Sequence, residues 1–238
     1  MHAKKRSLQP LPEGFHGDRY LQTLIDLLAG RAGVFLETGA NVGSTLGYVA
    51  RRYPLLPLLS CEPDPDACAA ARRHACVRPG VSLLEMRSQE FLRRLKGEPE
   101  ERFELPVLAW LDAHDHRYEW PLRDEVRFLT EHFDRGFLLI DDFHVPNEPN
   151  FGFDAYDGDV CGFEYVSDAI SARVDYRLYY PAYRSHTSGF HPLRGWGLVQ
   201  FGGAGGPLER LDERLPDVCR LEVTHRTESV LRALPPAD

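Results

Sequence analysis

The chain has 238 residues with 28 Lys+Arg and 36 Asp+Glu, which gives a formal net charge of −8 with histidine neutral. This acidic balance argues against a general nucleic-acid binder, because the phosphate backbone attracts concentrated positive charge. Hydrophobic residues make up 43 % of the chain and charged residues 27 %, close to globular averages, so one sizeable core can be buried. We expect a single domain over residues 1–238.

The sequence also limits the compartment. No apolar stretch approaches the roughly 18 to 20 residues that cross a bilayer, so we expect no membrane partner. Lys4, Lys5 and Arg6 are followed by polar residues and prolines, which does not resemble a secretory signal. The five cysteines form no CxxC pair and are expected to be small, reduced and buried. These features predict a cytoplasmic protein.

Short apolar runs recur along the chain, and each ends at an acidic or small polar residue. Their starts lie 21 to 30 residues apart, which suits a strand, a crossover helix and two loops. The predicted strands cover residues 34–36, 55–59, 81–84, 107–111 and 137–140.

Between these runs the apolar spacing becomes helical. Leu21, Leu24, Ile25 and Leu28 follow the i, i+3, i+4, i+7 pattern of an amphipathic helix that ends at Gly30. Further helices are predicted over residues 44–53, 65–75 and 122–133. Strands that are apolar throughout and alternate with helices indicate a parallel sheet covered on both faces.

The pattern changes after Asp142. Residues 143–160 form a loop rich in aromatics, glycines and prolines, long enough to predict a substrate-side role. A short helix at 161–172 precedes two runs, 176–180 and 196–201, which are predicted to pair antiparallel because no crossover helix separates them. Residues 1–16 are predicted to be an N-terminal tail, and residues 203–238 a C-terminal extension without assigned elements.

The segment VFLETGANVGST is the most informative in the chain. Its glycines allow a tight turn and close approach of a ligand, and the helix that follows offers free N–H groups. The turn departs from the dinucleotide pattern GxGxxG, since Asn41 replaces the middle glycine and Glu37 precedes the turn. Glu37 would repel a pyrophosphate but suits an ammonium or sulfonium. Glu62, which ends the second strand, is placed to accept hydrogen bonds from ribose hydroxyls.

ETGANVGST followed by CEPDPDA resembles the cofactor half of class I S-adenosylmethionine-dependent methyltransferases, in particular the FkbM-like and macrocin O-methyltransferase-like branch. The resemblance covers about residues 20–202. It implies a doubly wound Rossmann-like α/β fold with a mostly parallel seven-stranded sheet, helices on both faces and an antiparallel last strand. It also implies that Glu62 binds the ribose of S-adenosylmethionine, that Ser88 and Gln89 contact the adenine, and that the methionine part is surrounded by Glu37, Gly39, Asn41 and Gly43.

Acidic residues follow the fourth and fifth strands. Asp112, Asp141 and Asp142 should converge at one edge, because adjacent strands lie about 4.8 Å apart. Three such carboxylates need a counter-charge, and Mg²⁺ or another divalent cation would provide it. The layout is similar to metal-dependent O-methyltransferases, which implies a general base shortly after the first aspartate, here His114 or Asp115.

Other interpretations of these residues remain open. Asp112 could bind the cofactor's amino group or cap a helix, and Asp141 could make a structural hydrogen bond without any metal. His114 and His144 with Asp112 or Asp115 could instead form the two-histidine, one-carboxylate iron site of an oxygenase.

The leading hypothesis is S-adenosylmethionine-dependent O-methylation of a small-molecule hydroxyl, on a sugar or other natural product. Homo-oligomer formation is left open. A nicotinamide-dependent oxidoreductase and a catalytically silent cofactor-binding or partner-binding domain are the alternatives.

Overall fold

The computed structural model describes residues 14–75, 79–98, 103–113, 120–186, 193–203 and 208–227. These ranges contain one eight-stranded sheet, a two-stranded hairpin and the helices that pack against the large sheet. The strands are β1 (Val34–Thr38), β2 (Leu58–Cys61), β3 (Val81–Leu84), β4 (Val107–Leu111), β5 (Arg135–Ile140), β6 (Ala155–Tyr156), β7 (Asp159–Val160), β8 (Val174–Pro181), β9 (Gly197–Gly203) and β10 (Cys219–His225). The helices are α1 (Arg19–Ala29), α2 (Ser44–Arg52), α3 (Pro65–His74), α4 (Ser88–Leu95), α5 (Leu122–His132), α6 (Phe163–Val166) and α7 (Leu211–Arg214).

The large sheet has the order β10-β8-β9-β5-β4-β1-β2-β3. Strands β1 to β5 are parallel, and β9 pairs antiparallel with β5. The chain order reverses between β1 and β4, and in open α/β sheets ligands bind beyond the carboxyl ends of the strands at such a point. Every residue of β1 and β4 is buried, as expected for central strands covered on both faces.

Helix α1 shows how the local sequence produces these elements. Asp18 caps its N-terminus, because the carboxylate accepts the backbone N–H groups of Tyr20 and Leu21 at 2.9 and 3.2 Å. Its predicted apolar stripe is buried in the core. Asp64 and Pro65 begin α3 in a similar way, with Asp64 accepting the N–H of Ala67 at 2.9 Å.

The predicted Rossmann-like architecture and its antiparallel strand beside β5 are confirmed, with corrections in detail. The sheet has eight strands, not seven, because Cys219–His225, within the predicted C-terminal extension, pairs antiparallel with β8. The second strand begins at Leu58 instead of residue 55, since Leu55 is 94 % exposed in a turn that precedes Pro57. Phe15, assigned to the N-terminal tail, is fully buried.

Two further expectations concern cysteines and membranes. Cys61, Cys68, Cys161 and Cys219 are free and buried, as predicted, and Cys76 lies outside the described residues. No helix in the described part of the chain combines the length and the apolar character that a membrane crossing requires.

Candidate active site

The turn between β1 and α2 is shaped by three residues in the left-handed region. Gly39, Asn41 and Gly43 have φ values of +80°, +48° and +82°. A Cβ on Gly39 would overlap the carbonyl oxygen of Asp112, and one on Gly43 would lie 2.7 Å from the Cα of Ala71. The glycines therefore let the turn pack between the end of β4 and helix α3, while Asn41 is exposed at its tip.

Glu62 fastens this turn to the end of β2. One carboxylate oxygen accepts the backbone N–H of Asn41 at 2.6 Å, and the other accepts the N–H of Asp64 at 2.8 Å. The side chain is only 7 % exposed. Each oxygen keeps a further lone pair, so the carboxylate can still accept two hydroxyl groups.

Glu37 lies one strand away and is buried at 1 % exposure. It pairs in register with Ser60 of β2, whose hydroxyl donates to its carboxylate at 2.6 Å. Burial raises the pKa of Glu37 to about 7, and the nearby charge of Glu62 acts in the same direction. The two glutamate side chains therefore lie close enough, at the same end of the sheet, for their charges to interact.

The two residues predicted to contact adenine lie in the first turn of α4. Ser88 is buried at the start of α4, and its hydroxyl donates to the carboxylate of Glu125 on α5. Gln89 instead lines a surface groove between α4 and α5, together with residues such as Phe128 and His132. The contact of Gln89 with the adenine stays a prediction.

Glu125 is a buried acid that the sequence analysis missed. It is 1 % exposed, and burial raises its pKa to about 7, opposed by its contacts with Ser88 and Thr38. Its position in the first turn of α5, next to an apolar stripe, is the only sequence signal that could have indicated it.

Asp112, Asp141 and Asp142, here called the acidic rim, directly follow the neighbouring strands β4 and β5. The backbone N–H of Asp112 bonds to the carbonyl of Thr38, and that of Asp141 to the carbonyl of Leu111, so the rim continues the sheet pairing. Burial raises the pKa of Asp112 well above its usual value, and the charges of Asp141 and Asp142 add to this. Burial and Asp141 likewise raise the pKa of Asp142 to about 6.

His16 contacts the rim from the segment that was predicted to be a tail. Its Nε2 lies 2.6 Å from a carboxylate oxygen of Asp141. The negative charge of Asp141 raises the pKa of His16 to about 9, against the opposing effect of burial, so the imidazole is a cation at neutral pH. The GFHG turn directly before the N-cap Asp18 is the sequence feature that marks this segment as structured.

Arg194 is the second cation at the rim. It donates through Nε to Asp142 and through Nη2 to Asp154 at 2.5 Å, and so links the rim to the substrate-side loop. Among the described residues, the His, Cys, Asp and Glu side chains whose ligand atoms lie within 4.8 Å of one another are His16, Asp141 and Asp142; Asp112 is not a member of this set.

The predicted general bases His114 and Asp115 lie outside the described residues. His144, named in the iron-site alternative, places its ring 4.9 Å from that of Phe153 and is not a member of the set above. The structure therefore gathers Glu37, Glu62, the turn and the acidic rim at one edge, while the bases stay predictions.

No protein-family model matches the sequence, and no curated protein does either. Solved structures do match. An O-methyltransferase from Bacillus cereus in complex with SAH has a TM-score of 0.55 and 16 % identity, over 82 % of this chain and 84 % of that one. TomG, an O-methyltransferase from Streptomyces achromogenes involved in tomaymycin synthesis and solved with SAM, has a TM-score of 0.54 and 18 % identity, over 79 % and 80 %. Cofactor-bound Rv0187 from MTB has a TM-score of 0.52 and 17 % identity, over 75 % and 78 %.

These similarities establish the fold. The chain has the Rossmann-like fold of O-methyltransferases, as the resemblance in the turn sequence implied.

Proposed function

We propose that the chain is an S-adenosylmethionine-dependent methyltransferase that acts on a hydroxyl group of a small molecule. The observation that carries this proposal is the position of Glu62. Its buried carboxylate is held by the turn after β1, next to the reversal of chain order between β1 and β4. The similar O-methyltransferase structures with SAM or SAH bound support the choice of cofactor.

The residues of the turn fit this cofactor. Glu62 can accept both ribose hydroxyls while it keeps its bonds to the backbone. Asp112, Glu37 and the exposed turn at Asn41 place hydrogen-bonding groups near one edge, where a polar ligand can bind. Gly39, Gly43, Ser88 and Gln89 are proposed as further cofactor-binding residues, as the resemblance implies. The bound cofactor would supply a methyl group already activated by the sulfonium.

The substrate side supports a small-molecule acceptor. The ring of Trp120 stacks on Tyr165 at 4.2 Å and meets the edge of Tyr156 at 5.2 Å. The Tyr156 hydroxyl donates to Asp154 at 2.6 Å, and Asp154 in turn accepts from Arg194. Aromatic rings beside hydrogen-bonding groups suit a sugar or a planar phenol better than a polyanion.

In the proposed reaction the chain orients the acceptor hydroxyl and takes its proton. Holding the acceptor oxygen in line with the methyl group accounts for most of the acceleration. His114 or Asp115, which follow Asp112 by two and three residues, would accept the proton.

The acidic rim fits the predicted Mg²⁺ poorly. Among the residues that the structure describes, Asp112 does not join a set of close ligand atoms, and both carboxylate oxygens of Asp141 already have partners, His16 and the N–H of Asp142. Asp142 is paired with Arg194. Mg²⁺ is usually held by one or two carboxylates and completes its octahedron with water, but here both carboxylates are engaged by the side chains of His16 and Arg194. We therefore assign no step to a metal.

The proposal is tested by calorimetric titration of the protein with S-adenosylhomocysteine and, in parallel, with NADH. We expect saturable binding of S-adenosylhomocysteine and none of NADH. The reverse result would favour the oxidoreductase alternative. Release of S-adenosylhomocysteine from S-adenosylmethionine in the presence of phenolic and sugar hydroxyl acceptors then separates an enzyme from a silent binding domain.

The proposal also covers domain organisation, cellular location and oligomeric state. A single domain and a cytoplasmic location are expected from the sequence alone, which leaves self-association open. Light scattering of the purified protein and localisation of a tagged chain test the last two.

A further inference from the structure

The acidic rim carries two positively charged side chains that the sequence analysis did not assign to it. His16 reaches Asp141 across 125 positions of sequence, and Arg194 reaches Asp142 across 52. Both cations sit at the carboxylates for which a divalent ion was predicted. The hydrogen bonds and packing around each side chain distinguish a fixed arrangement from incidental surface pairs.

Arg194 is fixed by its backbone. Gly152 donates its N–H to the carbonyl of Leu193 at 2.9 Å, and Gly195 donates to the carbonyl of Gly152 at 2.8 Å, which forms an isolated parallel bridge around Arg194. Gly195 also accepts the N–H of Phe143 at 3.0 Å, and a Cβ on Gly195 would overlap the Phe143 carbonyl oxygen. The guanidinium therefore starts from a backbone locked against the loop after β5.

The carboxylates that receive Arg194 are held in matching positions. The N–H of Asp154 donates to the carbonyl of Asp142 at 2.9 Å, so the two acids keep a fixed relation. Asp142 has a left-handed φ of +52°, which is uncommon for a residue other than glycine and indicates that the surroundings determine its conformation. Two donors of one planar guanidinium then meet two pre-placed acceptors.

The conformation of the segment around His16 is also constrained. Phe15, His16 and Gly17 all have positive φ, between +56° and +70°. The fully buried ring of Phe15 packs edge-on against Trp110 at 5.0 Å, which anchors the turn above the end of β4. The Asp141 side chain is 2 % exposed, whereas that of His16 is 43 % exposed, so the imidazole forms the open side of the pair.

We infer that His16 and Arg194 take the place of a divalent cation at the acidic rim, so that the chain neutralises the rim with its own side chains. The inference deepens the proposed function and rests on it for the reaction that this site serves. The contacts agree with it: His16 pairs with Asp141, Arg194 pairs with Asp142, and each rim carboxylate next to β5 has one basic partner. An ion at the rim would compete with His16 and Arg194 for the carboxylates of Asp141 and Asp142.

The experiment is a Mn²⁺ titration of the full chain, followed by the electron paramagnetic resonance signal of free Mn²⁺ and by calorimetry. Mn²⁺ accepts the same oxygen and nitrogen ligands as Mg²⁺ and is visible directly. We expect no saturable uptake by the wild type at millimolar Mn²⁺. Arg194→Gln, which leaves Asp142 and Asp154 without their cation, should gain a site at least tenfold tighter than any weak wild-type binding.

Arg210→Gln is the matched control, because Arg210 also pairs with a carboxylate, Asp212, outside the rim. His16→Gln removes the charged partner of Asp141 and serves as a second test variant if Arg194→Gln does not fold. Stoichiometric Mn²⁺ binding by the wild type would overturn the inference. It would equally fail if neither test variant bound Mn²⁺ more tightly than Arg210→Gln. Titration of the same samples with S-adenosylhomocysteine tests the proposed function separately, since it does not depend on Mn²⁺.

Discussion

The backbone N–H of Asn41 donates to the carboxylate of Glu62 at 2.6 Å, and this bond joins the turn after β1 to the end of β2. Asn41 is exposed and Glu62 is buried, so the bond connects the exposed tip of the turn to a buried carboxylate. It fixes the acid at the point where two parallel strands end. The cofactor proposal depends on this placement, because a mobile carboxylate would lose entropy on binding a ribose.

Glu62→Gln should weaken S-adenosylhomocysteine binding by about tenfold or more, because hydrogen bonds from hydroxyls to a charged acceptor exceed those to an amide by roughly 1.4 kcal/mol. The amide keeps an oxygen for the N–H of Asn41 but has no acceptor for the N–H of Asp64, so the melting temperature should also fall by a few degrees. Glu131→Gln, an exposed position on α5, is the control and should bind like the wild type. Equal affinity of both variants would remove Glu62 from the site.

Glu125 should make the protein less stable as the pH rises. Its pKa is raised from 4.5 to about 7, so the folded state holds a proton that the unfolded chain releases near pH 4.5. The stabilisation is complete below that value and is lost as the pH rises through about 7, to the extent of about 3 kcal/mol at most. Urea unfolding of wild type and Glu125→Gln from pH 5 to 8 measures the effect.

The variant should show a shallower fall of the unfolding free energy with pH than the wild type. Part of the slope should remain, because Glu37 titrates in the same range and direction. Glu37→Gln should remove that second part. Identical slopes for Glu125→Gln and the wild type would mean that Glu125 is ionised in the folded protein throughout.

The sheet and the acidic rim could be predicted because their signals are local. Uniformly apolar runs, separated by segments with helically spaced apolar residues, locate the parallel strands along the chain. Asp112 and Asp141 directly follow two of these strands. Strand β10 was missed because it is an edge strand with charged residues such as Arg220 and Glu222 between its apolar positions. Edge strands need burial on one side only, which weakens their pattern.

The charged partners of the rim could not be predicted in this way. His16 precedes the first helix in a segment with no periodicity, and its partner lies 125 positions away. Ser88 and Glu125 each sit at the start of a helix, 37 positions apart, and only the packing of α4 on α5 brings them together. Such pairs depend on tertiary contacts that no repeat in the sequence encodes.

The His16 pair should stabilise the protein at neutral pH and lose this effect in alkali. Because the pKa of His16 rises from 6.5 to about 9, the contribution is complete below pH 6.5 and disappears as the pH passes about 9. The imidazole is partly exposed, so we expect about 1 kcal/mol. NMR titration of the His16 ring should give a pKa near 9 in the wild type and a value close to 6.5 in Asp141→Asn. A wild-type value near 6.5 would show that the pair does not form in solution.

Gly43→Ala should destabilise the protein by at least about 2 kcal/mol, through a left-handed backbone that disfavours a Cβ and through overpacking. The new methyl group would lie 2.7 Å from the Cα of Ala71, and neither backbone segment can yield without moving the turn or α3. Binding of S-adenosylhomocysteine should weaken as well, since the same turn presents Asn41 to Glu62. Gly203→Ala at the end of β9 is the control, because its Cβ would meet no atom of the described residues within 4 Å. Chemical unfolding of the two variants measures the difference, and equal stabilities would show that the turn adapts to a side chain at Gly43.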